Sequence, residues 1–260
     1  MTFIGNKDPW LQHAKEIIFA DYGVRVSESS KNKDLLKFGR SDQVQTTNTT
    51  LMTLPTGTFN ETYVSANSIT SIVSTSGSDT TTVMVEGHTI SGSDLTFVSQ
   101  SVTLTGQTAA TLSTALARVT RIYASGSDDL VGVISVCETD TYSSGVPNTP
   151  AGVHCQVRAG ENQSEKASTS ISSVDYWVIT HARVELLEKT ASNIDADLEI
   201  RLAGKVWRKV INMTCSADHD GIVDFLPYLI IPPNSDVRLV ARSNANGKSV
   251  SGAIFGVLLN

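Results

Sequence analysis

The residues of this chain that could do chemistry are two carboxylate pairs, a small Cys–His–Asp cluster, three cysteines, five histidines and a patch of cations around one tryptophan. Asp195 and Asp197 stand two apart on one face of a strand, and Asp128 and Asp129 are adjacent. A glycosidase sets two carboxylates across a cleft lined with sugar-stacking aromatics. Aromatics make up only 6% of this chain and are mostly isolated, so solvated strand ends are the plainer reading. The same carboxylates offer oxygens to Ca2+, but EF-hand spacing is absent. Cys215 and His219, flanked by Asp218 and Asp220, form the one local cluster with metal-ligand residue types. Zinc needs at least three converging ligands, and no HxH or HExxH spacing occurs; a polar turn ending in Gly221 accounts for the same residues. The chain has neither a GxSxG elbow nor a Walker loop or GxGxxG after a strand. Cys137, Cys155 and Cys215 lack CxxC spacing and read as small buried residues of a protein made in a reducing cytoplasm. Arg201, Lys205, Arg208 and Lys209 surround Trp207; contact with an acidic neighbour or polysaccharide is one reading, and a solvated strand face with Trp207 in the core is the favoured one. No catalytic, metal or cofactor site is therefore expected, and the chain is read as a non-enzyme.

Bulk properties narrow the class further. Net charge is −6 with a pI near 5.3, which offers little basic surface for nucleic acid. No apolar run approaches the roughly 18 residues that suggest a membrane span, and Met1 to Trp10 holds Asn6, Lys7 and Asp8 instead of an apolar signal core. Neither a nucleic-acid nor a membrane partner is expected. Sequons at Asn48, Asn60, Asn162 and Asn212 are of the number chance supplies in a chain rich in Ser and Thr. Charged residues are only 18% of the total, a composition suited to strands with one wet face and tight turns.

The elements that must position these residues are nearly all strands. Residues 1–45 differ: Asp8-Pro9 starts a short helix whose face carries Trp10, Leu11, Ala14, Ile17 and Ile18, and a lysine-rich extended arm follows. From about residue 46 the period becomes two, as in Val83, Val85 and Gly87 against Thr82, Met84 and Glu86. The run from Val131 to Cys137 is apolar on both faces and predicts a central strand. Ser-Gly-Ser-Asp recurs at 76–79, 91–94 and 125–128 and reads as a reused hairpin tip. Residues 139–152, with Pro147, Pro150, Gly145 and Gly152, read as a linker. Beyond it, Tyr176 to Leu187 alternates strictly, and about seven short strands end on Ala253, Phe255, Val257 and Leu259. The predicted fold is all-β: an arm (1–45), a small β domain (46–138), a linker (139–152) and a jelly-roll-like β-sandwich (153–260).

Three stretches resemble a family of tailed-bacteriophage virion structural proteins found in marine and cyanobacterial phages. They are Asn6 to Leu11 with Lys37-Phe38-Gly39-Arg40; Val85-Glu86-Gly87-His88 leading to Gln100 to Gln107 and Ala117 to Ile122; and Val157 to Ser164. The chain departs from the family at Ile171 to Asp175, where members place an Ile-Pro-Ala-Gly turn. The resemblance implies a capsid decoration or cement subunit bridging neighbouring capsid proteins, with no cofactor. It further implies a homo-oligomer, a trimer, whose partners are the major capsid protein or neighbouring virion proteins. The location implied is the virion, assembled in the bacterial host cytoplasm. Trp10, Leu11, Ile17, Ile18, Lys37, Phe38 and Arg40 are the expected subunit contacts, since such arms order against a neighbour. The alternative is a tail or head fibre component touching a host glycan through Tyr142, Trp177 or Tyr228.

Overall fold

A computed structural model describes residues 33–126, 128–188 and 192–259. The expected N-terminal helix lies outside the described residues. The chain opens on β1 (Lys33–Val44) and a short β2 (Thr49–Thr50). Then come β3 (Ile69–Ser74), β4 (Thr82–Ser91), β5 (Asp94–Thr103), β6 (Ala110–Leu116), β7 (Arg118–Ala124) and β8 (Ile134–Glu138). A small hairpin, β9 (Tyr142–Ser143) and β10 (Val146–Pro147), precedes β11 (Val153–Val157). The last seven strands are β12 (Ser168–Ile171), β13 (Tyr176–Leu186), β14 (Asn193–Leu202), β15 (Arg208–Ser216), β16 (Gly221–Ile231), β17 (Ser235–Ser243) and β18 (Lys248–Leu259). Among the described residues the sole helical element is a 3-10 turn, Pro150–Gly152.

Strand order reveals the architecture. One sheet runs β1-β18-β13-β16 and the facing one β12-β17-β14-β15, with β2 added beside β17. Read in chain order, the first of these eight strands pairs with the last, β12 with β17, β13 with β16 and β14 with β15, all antiparallel. A long antiparallel ribbon closed at the β14–β15 hairpin and rolled up gives this pattern, which is the jelly roll. Rolling buries one face of every strand, so Ile194, Ala196 and Leu198 of β14 point inward while Asp195, Asp197 and Glu199 alternate outward. The shared core takes Trp177, Ile179, Val237, Leu239, Val250 and Ile254 from both sheets.

β1 corrects the expected arm. Residues 33–44 are not a free extension but the first strand of the roll, in register with β18 from Lys33↔Leu258 to Ser41↔Val250. The misreading has a physical source: Lys33 and Lys37 make the segment look solvated, whereas Lys37 is buried. Gly39 allows β1 to lie against its neighbours, because a Cβ there would stand 2.0 Å from the Leu51 carbonyl oxygen and 2.2 Å from the Ala167 nitrogen.

Between the first and second strands of the roll sits an inserted sandwich. Its sheets run β11-β8-β3-β6 and β5-β4-β7, around Ile72, Val83, Val85, Leu104, Ile122, Ile134, Val136 and Val157. β8 is central and buried on both faces from Ile134 to Cys137, as its sequence pattern predicts, with Ser135 as its one polar residue before Glu138, accepting from Gln156. β11 pairs with β8, so residues 153–157 belong to this sandwich and not to the second one. The stretch 139–152 consequently joins two strands of one sheet. It is a compact hairpin held by Asp140, whose carboxylate accepts from the Thr149 and Thr141 amides. The chain passes between the sandwiches instead at residues 45–68 and 158–167.

Candidate functional site

Where the insert meets the roll, charge is buried. Asp236 of β17 is fully enclosed and accepts from Arg118 of β7 (Nε, 3.0 Å), Arg201 of β14 (Nε, 3.0 Å) and Ser170 of β12 (Oγ, 2.6 Å). Arg118 also donates to the carbonyls of Val64 and Ala117, so its guanidinium is satisfied without water. Tyr63 lies under both guanidiniums, and Trp207 is clasped between Arg201 (4.7 Å) and Arg238 (4.1 Å). Of the cations read around Trp207, Arg201 stacks on its ring while Lys209 pairs with Asp197, and the second stacking cation is Arg238 of β17. Trp207 is half-buried in that stack and belongs to neither core, contrary to the sequence reading.

A second buried joint lies beside the first. Lys166 pairs with Glu61 and donates to the Val119 carbonyl of the insert at 2.5 Å, and Ser168 donates to the other Glu61 oxygen at 2.7 Å. Lys37 reaches from β1 to the Thr120 carbonyl at 3.1 Å. Burial, helped by the charge of Lys166, pulls the Lys37 ammonium down to about 8. Lys37 is therefore a joint between the two sandwiches and not the exposed subunit contact expected of it.

The other expected sites resolve as follows. Trp10, Leu11, Ile17 and Ile18 lie outside the described residues. Phe38 and Arg40 are on the outward face of β1, where Arg40 pairs with Asp42 at 2.8 Å. Asp195 and Asp197 form a ladder of cross-strand ion pairs, Asp197 with Lys209 at 2.7 Å and Asp195 with Arg242 at 3.4 Å, which commits both as structural anions. His219 is exposed beyond a tight turn closed with Ser216, while Cys215 is buried. Among the described residues no group of three or more His, Cys, Asp or Glu could hold a metal. Burial raises all three thiols, Cys137 and Cys215 to about 11, so none is a thiolate nucleophile near neutrality. Trp177 fills the centre of the roll and cannot touch a glycan; Tyr142 and Tyr228 remain half-exposed.

Two surface features stand out among the described residues. A cleft of about 710 Å3 separates the roll from the insert, walled by Met52, Pro55, Val133, Pro147 and Pro150, with Arg158 across it. Arg158 is already paired with Asp42 at 2.7 Å and Glu165 at 3.3 Å. The other feature is the outward face of the β1-β18-β13-β16 sheet. Cross-strand rows there read Leu36–Phe255–His181–Asp224 and Phe38–Ala253–Arg183–Ile222, with Val257, Val178 and Ile230 in the next row. Leu36 is 51% exposed and Ile222 56%, and Leu226 on the β16 bulge reaches 82%. His181 stacks on Phe255 at 3.9 Å. Sequence patterning marked β13 and β18 as strands but missed this face, because a bulge at Thr180 switches which residues of β13 point outward.

Comparison with known proteins adds little. No protein-family model matches the chain, and no curated protein matches it. Among solved structures, infectious bursal disease virus of the Gx strain is 13% identical over 88% of this chain and 70% of that one, at a TM-score of 0.25. The Gt strain (12%, 90% and 73%, TM-score 0.22) and the virus's VP2 subviral particle (12%, 88% and 71%, TM-score 0.23) are alike.

Proposed function

We propose that the chain is a virion structural protein, an accessory capsid decoration or cement subunit of a tailed bacteriophage, assembled in the bacterial cytoplasm and binding the major capsid protein or its neighbours. The observation that carries the reading is a jelly roll, locked to an insert by buried ion pairs, whose β1-β18-β13-β16 sheet leaves Leu36, Phe38, Ile222 and Ile230 exposed among the described residues. Jelly rolls recur in viral shells, though also in lectins and cupins, so the fold alone is an analogy. The stretches resembling phage virion proteins favour the shell. Function on this reading is passive: apolar area buried against capsid neighbours, repeated over many equivalent positions, resists outward pressure on the shell. Ion pairs and thiols sequestered from solvent suit a part that must stay fixed and do no turnover.

Copy number in purified particles tests this. Quantitative mass spectrometry should find the chain in a fixed ratio to the major capsid protein over the whole head, and cryo-electron microscopy should place it on the shell's outer surface. A few copies at a single vertex or on the tail would reject decoration in favour of a fibre. Absence from the particle would reject both.

A further inference from the structure

We propose that the turn between β17 and β18 is a site of spontaneous covalent modification, where the Gly247 nitrogen closes on the Asn246 side chain and converts it to aspartate and isoaspartate. The chemistry belongs to the chain itself and does not depend on the virion reading.

Asparagine is thermolabile because the backbone nitrogen of the next residue lies within reach of its side-chain amide carbon. A side chain on that next residue crowds the ring that must form, so glycine is the permissive follower. Asn246-Gly247 is the one Asn-Gly pair in the sequence. Asn67, Asn162 and Asn244 are also exposed, but they precede Ser68, Gln163 and Ala245. Asn67 is further held at both ends, Oδ1 accepting from the Ile90 amide at 2.7 Å and Nδ2 donating to the Ile90 carbonyl at 3.2 Å. Asn162 is held likewise between the Leu130 amide and Asp129.

The fold leaves this pair open and poised. Asn246 and Gly247 are both exposed, in a stretch, 244–247, that belongs to neither strand, so water reaches the site and no sheet ladder fixes the backbone. A Cβ at Gly247 would meet nothing within 4 Å, and the φ of 74° there suits a residue without one. Asn246 Oδ1 accepts from the Thr46 amide at 3.0 Å. That N–H draws electron density from Cγ and faces the charge that gathers on Oδ1 during attack, as an oxyanion donor does.

Water is the sole co-reactant. The deprotonated Gly247 nitrogen bonds to Cγ of Asn246, the Cγ–Nδ2 bond breaks, and ammonia leaves with a proton, giving a cyclic succinimide. Water then adds to one of its two carbonyls. Cleavage of the Cγ–N bond restores the main chain and leaves aspartate. Cleavage of the bond between that nitrogen and the Asn246 backbone carbonyl leaves isoaspartate, with an extra methylene in the main chain. Either product adds one negative charge to the −6 of the sequence. Isoaspartate also lengthens the turn and takes the acceptor away from Thr46. Residues 45 and 46 are tied to this turn by that bond and by Ser243 N–H donating to the Gln45 carbonyl at 2.8 Å, so modification loosens the approach to β2.

Peptide mapping by mass spectrometry on the folded full chain, held in mildly alkaline buffer, is the test. The fragment containing Asn246 should gain one dalton, isoelectric focusing should show a more acidic species, and isoaspartyl methyltransferase should label the same fragment. Hydrogen exchange at the Thr46 amide should be faster in the isoaspartate form than in the unmodified chain. Gly247→Ala should slow conversion by about tenfold, a modest share of what misplaced reacting atoms cost. Asn246→Gln, whose ring closure is slower by one methylene, should abolish it, and circular dichroism checks that both variants are folded. A folded wild type that keeps Asn246 intact while the same chain in guanidinium converts overturns the proposal, because the fold then blocks ring closure. So does conversion undiminished in Gly247→Ala, or an acidic species that persists in Asn246→Gln. Each of these results leaves the particle copy-number measurement standing.

Discussion

Asp236 holds two guanidiniums and a hydroxyl from a fully buried position, and its energetic weight follows from what removing it strands. Asp236→Asn leaves Arg118 enclosed without its anion, and breaking a buried pair in this way costs about 3–5 kcal/mol. Arg242→Ala, at a half-exposed pair, should cost at most about 1 kcal/mol. Urea titration of the two variants checks the contrast. His88 sets a pH dependence. It is buried against Phe97 with Nδ1 unpartnered, and burial pulls it from 6.5 to about 3. Its folded-state pKa lies below the unfolded value, so between about 3 and 6.5 the unfolded chain binds the extra proton. Stability from this group is full above 6.5 and falls with acid at about 1.4 kcal/mol per pH unit until about 3. His88→Gln should flatten that limb of a stability-against-pH curve. Lys37 acts at the other end: its pKa is lowered from 10.5 to about 8, so raising pH through that window favours the fold as the unfolded chain sheds the proton the folded chain has already lost.

At the scale of elements, strand and turn character were legible while partnership was not. Alternation in Ile194 to Glu199 and in Val83 to Gly87 assigns an inner and an outer face without any structure. β13 defeats the same logic, because the bulge at Thr180 puts Trp177 and Ile179 inward before it and Ala182, Val184 and Leu186 inward after it. The repeated Ser-Gly-Ser-Asp divides likewise. At 91–94 it is the β4–β5 hairpin tip expected of it, with Gly92 at φ 61°. At 76–79 it crosses between sheets, and Asp79 is buried there, accepting from the Val131 and Gly132 amides at 2.8 and 2.9 Å. Identical residues take different roles because Asp94 is exposed at its tip while Asp79 is buried among backbone amides. Gly39→Ala probes the packing of β1 directly: a Cβ against backbone forces the strand away, with an expected loss of about 1–3 kcal/mol in thermal or urea unfolding.

For the whole molecule, the joints at Asp236, Glu61–Lys166 and Lys37–Thr120 predict that roll and insert unfold together. Calorimetry should show one transition for the wild type. Asp236→Asn combined with Lys166→Met should split or broaden it, since neither core is broken but the coupling between them is. A wild type with two separate transitions would reject the joints as the coupling. By itself, the order of residues determined that the chain is β throughout its described length, that a hairpin turns at Ser91–Asp94, that β8 is central and that the last strand is built into a sheet; side-chain alternation and turn chemistry are local and need no partner to be read. Only the tertiary structure decided that residues 33–44 are the first strand of the roll, that β11 belongs to the insert, that Lys37 is buried and that Leu36, Phe38, Ile222 and Ile230 share one exposed sheet face. Each of those depends on pairing between residues far apart in the chain, β1 with β18 above all, and pairing at that distance leaves no mark on the local pattern.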